Sequence, residues 1–330
     1  MQVTVLGAGS WGTTMATLVA ARHATMIWAR NSDVAAEIDG DHTNESYLSG
    51  FRLPEQLMAT DDLEKAMRHA ELLIIGVPTT AVRSTLQDAK QWLHPWIPIV
   101  SLAKGLEQKT LLRMTEVIRD EVPGHPVAAL TGPNIAREIM AGQAAASVIA
   151  TEDLNVATAI QRVMTRGLFR IYTNHDVIGC ELGGALKNVV AIATGIAQGL
   201  GVGDNTRSAV MTRGLAELTR LGVAMGGEAA TFAGLAGMGD LVTTCISPHS
   251  RNRHVGEQLG LGRKLPEVMA EMAMVAEGVK TAVTARQLAK DNDVEMPVCE
   301  EIYKVVQGHT SPDKAYSGLR LRPGHEKDPG

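Results

Sequence analysis

A chain of 330 residues fits two domains at about 100–200 residues each. With 45% hydrophobic and 20% charged residues, it is neither a mostly disordered chain, a collagen-like repeat nor a small disulfide-stapled domain. Lysine and arginine number 31 against 36 acidic residues, a net charge of −5, which argues against nucleic acid or an anionic membrane as partner and leaves an anionic small substrate in need of a local basic pocket. Aromatic residues make up only 3%, while Gly (33) and Met (15) are plentiful, so the core must be packed from aliphatic and methionine side chains.

The first apolar run, residues 3–6, reads as a strand and not as a signal peptide, because a charged leader is missing and Gly7 interrupts it. Gly7-Ala8-Gly9-Ser10-Trp11-Gly12 follows at the head of an amphipathic stretch, 11–21. In G-x-G-x-x-G so placed, the first glycine permits a tight turn, the second lets backbone approach a pyrophosphate and the third lets helix and strand pack closely. The helix N-terminus then offers N–H groups and a positive dipole end to phosphate. A glycine turn without a ligand is the alternative. The next run, 25–28, leads to Arg30, where an NAD-specific site usually carries an acid. An arginine there can pair with a 2′-phosphate or stack on adenine, which predicts NADP as cofactor with NAD accepted beside it. A solvated surface arginine is the competing reading.

Residues 42–60 are polar, with Gly50 and Pro54, and are expected to form a long connection. Apolar runs at 72–76, 97–102, 127–130, 144–150 and 168–172 then alternate with amphipathic stretches, predicting a parallel sheet with helices on both faces. Several strand ends fall on the edge that carries Gly7, where such sheets bind ligands. Gly76-Val77-Pro78-Thr79 offers an apolar wall and a rigid turn. Lys104, followed by Gly105, is either a cation placed for an anion or carbonyl, or a solvated turn lysine. Asn134, after Thr131-Gly132-Pro133, either caps a helix or touches substrate.

Beyond about residue 174, helical patterns take over at 177–198, 207–221, 250–259, 265–272, 280–291 and 297–306. The fold class is therefore α/β: an N-terminal Rossmann-type doubly wound sheet over 1–179, then an all-α C-terminal domain over 180–319 and a flexible tail over 320–330. Apart from Val190, the helical neighbours of Lys187 are small: Cys180, Gly183, Gly184, Ala191 and Thr194. A lysine on so tight a stripe is a candidate catalytic amine with a depressed pKa. Alternatively the glycines serve helix packing and Lys187 points outward. Ser250-Arg251-Asn252 at a helix start suits a phosphate dianion, or is a capped helix with solvated arginines. Cys180, Cys245 and Cys299 are far apart, without CxxC or Cys/His spacing, and predict reduced thiols of a cytoplasmic protein with no metal site. No run of ~18 uninterrupted apolar residues occurs, so no integral membrane contact is expected.

Taken as a set, the glycine loop, Ser101-Leu102-Ala103-Lys104-Gly105-Leu106-Glu107, Thr131-Gly132-Pro133-Asn134-Ile135-Ala136-Arg137-Glu138, Glu181-Leu182-x-x-Ala185-Leu186-Lys187-Asn188, Gly237-x-Gly239-Asp240-Leu241, Ser250-Arg251-Asn252 and Val275-Ala276-Glu277-Gly278 closely resemble the bacterial NAD(P)-dependent sn-glycerol-3-phosphate dehydrogenases in order and spacing. The resemblance covers residues 1 to about 310. It implies a proton-transfer role for Lys187 and contact of Lys104 with substrate and cofactor. Gly132, Asn134, Asp240, Ser250, Arg251 and Asn252 match the family's substrate positions, and Ser10, Trp11, Arg30, Ala136, Arg251, Val275 and Glu277 its cofactor positions. Asn134 departs from the Ser or Thr often found after Gly-Pro. A homodimer supplying a phospholipid precursor is implied in the same way.

The expected mechanism is interconversion of sn-glycerol 3-phosphate and dihydroxyacetone phosphate by hydride transfer at C2. Lys187 gives or takes the proton, Lys104 lowers its pKa, Asp240 holds the lysine or a substrate hydroxyl, and residues 250–252 grip the phosphate. This scheme calls for no metal, since lysine can polarise the oxygen. Two rivals stand beside it: a β-hydroxyacid or phosphogluconate-type dehydrogenase, and a non-catalytic NADP-sensing protein.

Overall fold

The computed structural model describes residues 1–272 and 276–320. Val275 and residues 321–330 of the expected tail lie outside the described residues, while Arg320 closes a helix, Pro312–Arg320. The chain divides into two compact units, Met1–Ala103 with Met114–Val177, and Lys104–Arg113 with Ile178–Gly330.

The first unit holds an eight-stranded sheet: β1 (Gln2–Leu6), β2 (Ala24–Trp28), β3 (Leu57–Thr60), β4 (Leu72–Ile75), β5 (Ile99–Ser101), β6 (Val127–Thr131), β7 (Ala145–Ala150) and β8 (Phe169–Asn174), in the order β3-β2-β1-β4-β5-β6-β7-β8. β1 lies between β2 and β4, both parallel to it, so the strand order reverses at the turn that follows β1. A doubly wound sheet takes its ligand at that switch point. β4 and β6 are buried at every residue, as expected of strands covered on both faces. Val5, Ile27, Ile74, Val100, Ala128 and Ile149 join one core cluster with the helix Ser10–Ala20.

Three features depart from the sequence reading. The connection at 42–60 is not continuous loop: its last residues form β3, in register with β2 from Thr25↔Leu57 to Trp28↔Thr60. Four residues on a sheet edge, with Met58 exposed, leave too short a pattern to recognise. Next, the sheet is not wholly parallel, since β7 runs antiparallel to β6 and β8 runs parallel to β7. The intervening helix, Ala136–Met140, has five residues. At ~1.5 Å per residue it spans roughly 7.5 Å, well short of the ~17 Å of a five-residue strand, so it cannot carry the chain back for a parallel return. Finally, residues 104–113 do not belong with the sheet domain assigned to 1–179. They form a hairpin, bridged at Leu106↔Arg113 and by Glu107 N–H to Leu112 O at 2.9 Å, whose Leu106 is buried in the core of the second unit.

That second core surrounds the helix Val177–Gly199, where Leu182, Leu186, Val189, Ile192 and Ile196 are buried. By length and composition (mean hydropathy 1.4) this helix could cross a membrane, contrary to the expectation from uninterrupted runs, but 94% of its apolar window is buried inside the protein. It is the central helix of the second unit. The helix Arg251–Gly260 crosses it at backbone contact: a Cβ on Gly195 would lie 2.1 Å from Arg253 O, and one on Gly256 2.1 Å from Ile192 O. No side chain fits there.

Glu217, on the helix Asp204–Ala224, is fully buried and accepts hydrogen bonds from Val298 N–H at 2.7 Å and Cys299 N–H at 3.1 Å, in the first turn of the helix Pro297–Val306. Burial pushes its carboxyl up from 4.5 to about 7, against the pull of those two donors. The folded state thus holds this proton more tightly than the unfolded chain, and the Glu217 contribution to stability falls as pH rises from about 4.5 to about 7. Urea unfolding of Glu217→Gln and the parent across that window is expected to show the parent losing up to about 3 kcal/mol relative to the variant.

Candidate active site

The first unit carries the glycine turn at the switch point of its sheet. Gly7 follows β1 at φ +108°, and a Cβ there would lie 2.8 Å from Gly76 C and Val77 N. One on Gly12 would lie 2.0 Å from Gly7 O. Turn, helix and neighbouring strand end are thus pressed together in a way that only glycine allows. Gly9 differs: a Cβ there would meet nothing within 4 Å, and no side chain caps the helix Ser10–Ala20 that it begins. Open space at an uncapped helix N-terminus fits the pyrophosphate of a dinucleotide.

Ser10 and Trp11 lie in the first turn of this helix, with Trp11 edge-on to Phe169 at 6.0 Å. Arg30, two residues beyond β2, is exposed. Ala136 begins its short helix and packs against the core of the first unit. Gly132 adopts φ +117°, where a Cβ would lie 3.1 Å from Ser147 Cα. Asn134 does not cap the helix: that position belongs to Ile135, and the Asn134 amide donates to Ser147 Oγ at 3.3 Å.

In the second unit three predicted residues converge. Lys187 is 5% exposed and Asp240 1%. The Lys187 Nζ donates to Asp240 Oδ1 and to Thr244 Oγ at 2.7 Å, while Lys104 Nζ donates to Asp240 Oδ2 at 2.9 Å. One carboxylate therefore binds two ammonium groups. Thr244 escaped the sequence reading, although its place one turn after Asp240 on the helix Asp240–Ile246 was a usable signal. Its hydroxyl donates to Asp240 O at 2.6 Å, which turns its lone pairs toward Lys187. An ammonium has three donors, and Asp240 and Thr244 take two, leaving one for a substrate oxygen.

The glycine stripe does serve packing, since a Cβ on Gly183 would lie 2.7 Å from Ala236 O, yet Lys187 does not turn outward. Burial lowers its pKa from 10.5 to about 7, opposed by the Asp240 charge and assisted by Lys104. Beside it Cys245 is buried, and desolvation pushes its thiol up to about 11, so it stays protonated and inert near neutral pH.

The turn at 250–252 is less cationic than its sequence suggests. Ser250 is the N-cap of the helix Arg251–Gly260, its Oγ accepting from Arg253 N–H at 3.2 Å. Asn252 is buried, donating to Asn188 Oδ1 at 2.9 Å and accepting from Gly278 N–H at 2.9 Å. Arg253 is buried as well, bound to Ser247 O at 2.9 Å and Gln198 Oε1 at 2.6 Å. Arg251 is exposed, and partial desolvation draws its pKa down against the charge of Glu277, the first residue of the helix Glu277–Asp291. The guanidinium at 251 is therefore the arginine of this turn presented to solvent.

Lys187 also couples stability to pH. Its folded pKa of about 7 lies below the ordinary 10.5, so between these values the unfolded chain binds more protons and stability rises with pH. Over pH 7 to 9, below the range of the raised Cys245 thiol, chemical denaturation should show the parent gaining stability relative to Lys187→Met.

Comparison with known proteins places this geometry in a family. Residues 2–157 match the family model described as NAD-dependent glycerol-3-phosphate dehydrogenase N-terminus, and residues 176–317 match the corresponding C-terminus. A protein of Sphingopyxis alaskensis named glycerol-3-phosphate dehydrogenase [NAD(P)+] 2 is 52% identical, over 100% of this chain and 99% of that protein. One of Mycobacterium tuberculosis named glycerol-3-phosphate dehydrogenase [NAD(P)+] 1 is 47% identical, over 98% and 96%. The crystal structure of a glycerol-3-phosphate dehydrogenase from Coxiella burnetii superposes with a TM-score of 0.93 at 35% identity, covering 97% of this chain and 98% of that one. With both halves matched and the likeness running along nearly the whole length, the chain belongs to the NAD-dependent glycerol-3-phosphate dehydrogenase family.

Proposed function

We propose that this chain interconverts sn-glycerol 3-phosphate and dihydroxyacetone phosphate, with Lys187 as the group that moves the proton. As a member of its family it is an oxidoreductase that uses NAD or NADP. The β-hydroxyacid and NADP-sensing alternatives yield to full-length identity with named glycerol-3-phosphate dehydrogenases. The observation that carries the mechanism is the buried Lys187 ammonium, shared between Asp240 and Thr244 with Lys104 on the far carboxylate oxygen.

The nicotinamide, when bound, supplies hydride chemistry at C2 of the substrate. Protonated Lys187 then polarises the C2 carbonyl oxygen and delivers its proton as the alcohol forms; neutral Lys187 takes the proton back in oxidation. Asp240 and Thr244 hold the amine in one direction, and burial, assisted by Lys104, keeps its pKa near neutrality, so that either form is available. Arg251 supplies charge for the substrate phosphate, and the Ser250 hydroxyl, which spends an oxygen lone pair on Arg253, keeps its proton to donate. Gly7, Gly9, Ser10, Trp11 and Gly12 are assigned to the cofactor phosphates and Arg30 to its 2′-phosphate. By its resemblance the chain is further proposed to act as a cytoplasmic homodimer, which light scattering would check as twice the mass of one chain.

NADPH oxidation monitored with dihydroxyacetone phosphate is the direct assay. Lys187→Ala is expected to lose ~10²–10⁴-fold in turnover while remaining folded, and near-parental turnover would sink its role. With a pKa of about 7 on Lys187, kcat/KM for oxidation should rise with pH through about 7 and that for reduction should fall. Arg30→Asp should shift preference from NADPH toward NADH, and an unchanged KM ratio would remove Arg30 from the cofactor site.

A further inference from the structure

We propose that Asn44, a residue of the polar connection before β3, sets the dinucleotide-binding posture of the glycine turn by locking the peptide plane between Ala8 and Gly9. The proposal deepens the cofactor reading above and rests on it.

Asn44 is fully buried, and its own carbonyl accepts from Leu48 N–H at 2.7 Å in the short helix Glu45–Leu48, whose Leu48 is buried in the core of the first unit. The residue is therefore anchored from behind. Its side-chain amide reaches 36 residues back along the sequence, donating to Ala8 O at 2.9 Å and to Thr13 Oγ at 2.8 Å. Thr13 Oγ in turn donates to Ala8 O at 3.2 Å. The Ala8 carbonyl thus accepts two side-chain hydrogen bonds.

A peptide group is planar and trans, so fixing the direction of the Ala8 carbonyl also fixes the direction of the Gly9 N–H on the opposite side of the same plane. On the Gly9 side the Gly9 carbonyl accepts from Thr13 N–H at 2.9 Å, which fixes the next peptide plane and not this one; there is no Cβ, and among the described residues a Cβ would find nothing within 4 Å and no side chain caps the helix that starts there. A glycine peptide so placed would otherwise rotate at little cost. The amide at position 44 holds the turn with that N–H already aimed, and so lowers the ordering cost of binding a pyrophosphate.

A second observation separates this role from mere filling of space. Asn44 Oδ1 is buried without a hydrogen-bond partner among the described residues. Such an atom is unfavourable, and a space-filling position would be better served by an apolar side chain. What the residue contributes in return is its amide donor, shared between Ala8 O in the glycine turn and Thr13 Oγ on the helix that follows.

The experiment compares NADPH, which carries the pyrophosphate, with adenosine 2′-monophosphate, which lacks it and engages only the adenosine end. Dissociation constants would be read from NADPH fluorescence and from its displacement by the monophosphate, on the full chain, with Asn44→Asp and Asn44→Leu beside the parent. Asn44→Asp keeps the shape but replaces the donor with an acceptor facing Ala8 O. Asn44→Leu removes donor and orphaned oxygen together. We expect NADPH to weaken about 10- to 100-fold in both variants. Binding of the monophosphate, the KM for dihydroxyacetone phosphate and kcat at saturating NADPH should stay near parental values. Unchanged NADPH affinity overturns the proposal, as does equal weakening of both ligands or failure of both variants to fold, since each would make Asn44 a structural residue only. A parent chain that binds no NADPH would instead overturn the cofactor reading itself.

Discussion

A single buried carboxylate holds two ammonium groups in the helical unit, and the candidate site is built around that pairing. A lysine removed from water strongly favours its neutral form, and an adjacent carboxylate alone would restore the charge. With Asp240 bound on one oxygen by Lys187 and on the other by Lys104, neither tendency wins, and Lys187 titrates near neutrality. The surrounding architecture maintains this arrangement. Lys187 lies on the central helix of its core, so it cannot swing into solvent. Lys104 starts a hairpin pinned by buried Leu106 and by the Arg113–Glu181 pair at 2.9 Å, itself on the Lys187 helix. Thr244 fixes the remaining angle.

Glycine does much of the work that aromatic rings do elsewhere. With aromatics at 3%, the chain brings backbones together instead of filling space with rings. The turn after β1 and the crossing of the helices Val177–Gly199 and Arg251–Gly260 both depend on this, each with atoms where a Cβ would stand. Where a large ring is used, glycine makes room for it: Phe232 is fully buried with its ring against Gly222.

Much of the fold and part of the candidate site are legible in the sequence. The strand–glycine loop–helix at the start was readable because each glycine answers a local steric demand. The small-residue stripe marked Lys187 because helical spacing alone determines its neighbours. What could not be read depended on partners distant in sequence. β3 was lost because an edge strand of four residues has too little pattern, and the reversal at β7 because direction depends on how far a short helix carries the chain. At the turn 250–252 the sequence does not show that Ser250 also caps its own helix or that Asn252 ties two others together.

The amino-acid sequence by itself determined where the backbone must turn, where two segments must touch and which lysine stands in a cramped stripe, because those demands act within a few residues along the chain. Only the tertiary structure decided that Asp240 binds that lysine and Lys104, 136 residues before Asp240, on its two oxygens at once, and which amide steadies the glycine turn. The reason is physical: a pKa or a hydrogen-bond direction is set by whatever charge or donor stands within a few ångströms, and sequence spacing does not encode that distance once the chain has folded back on itself.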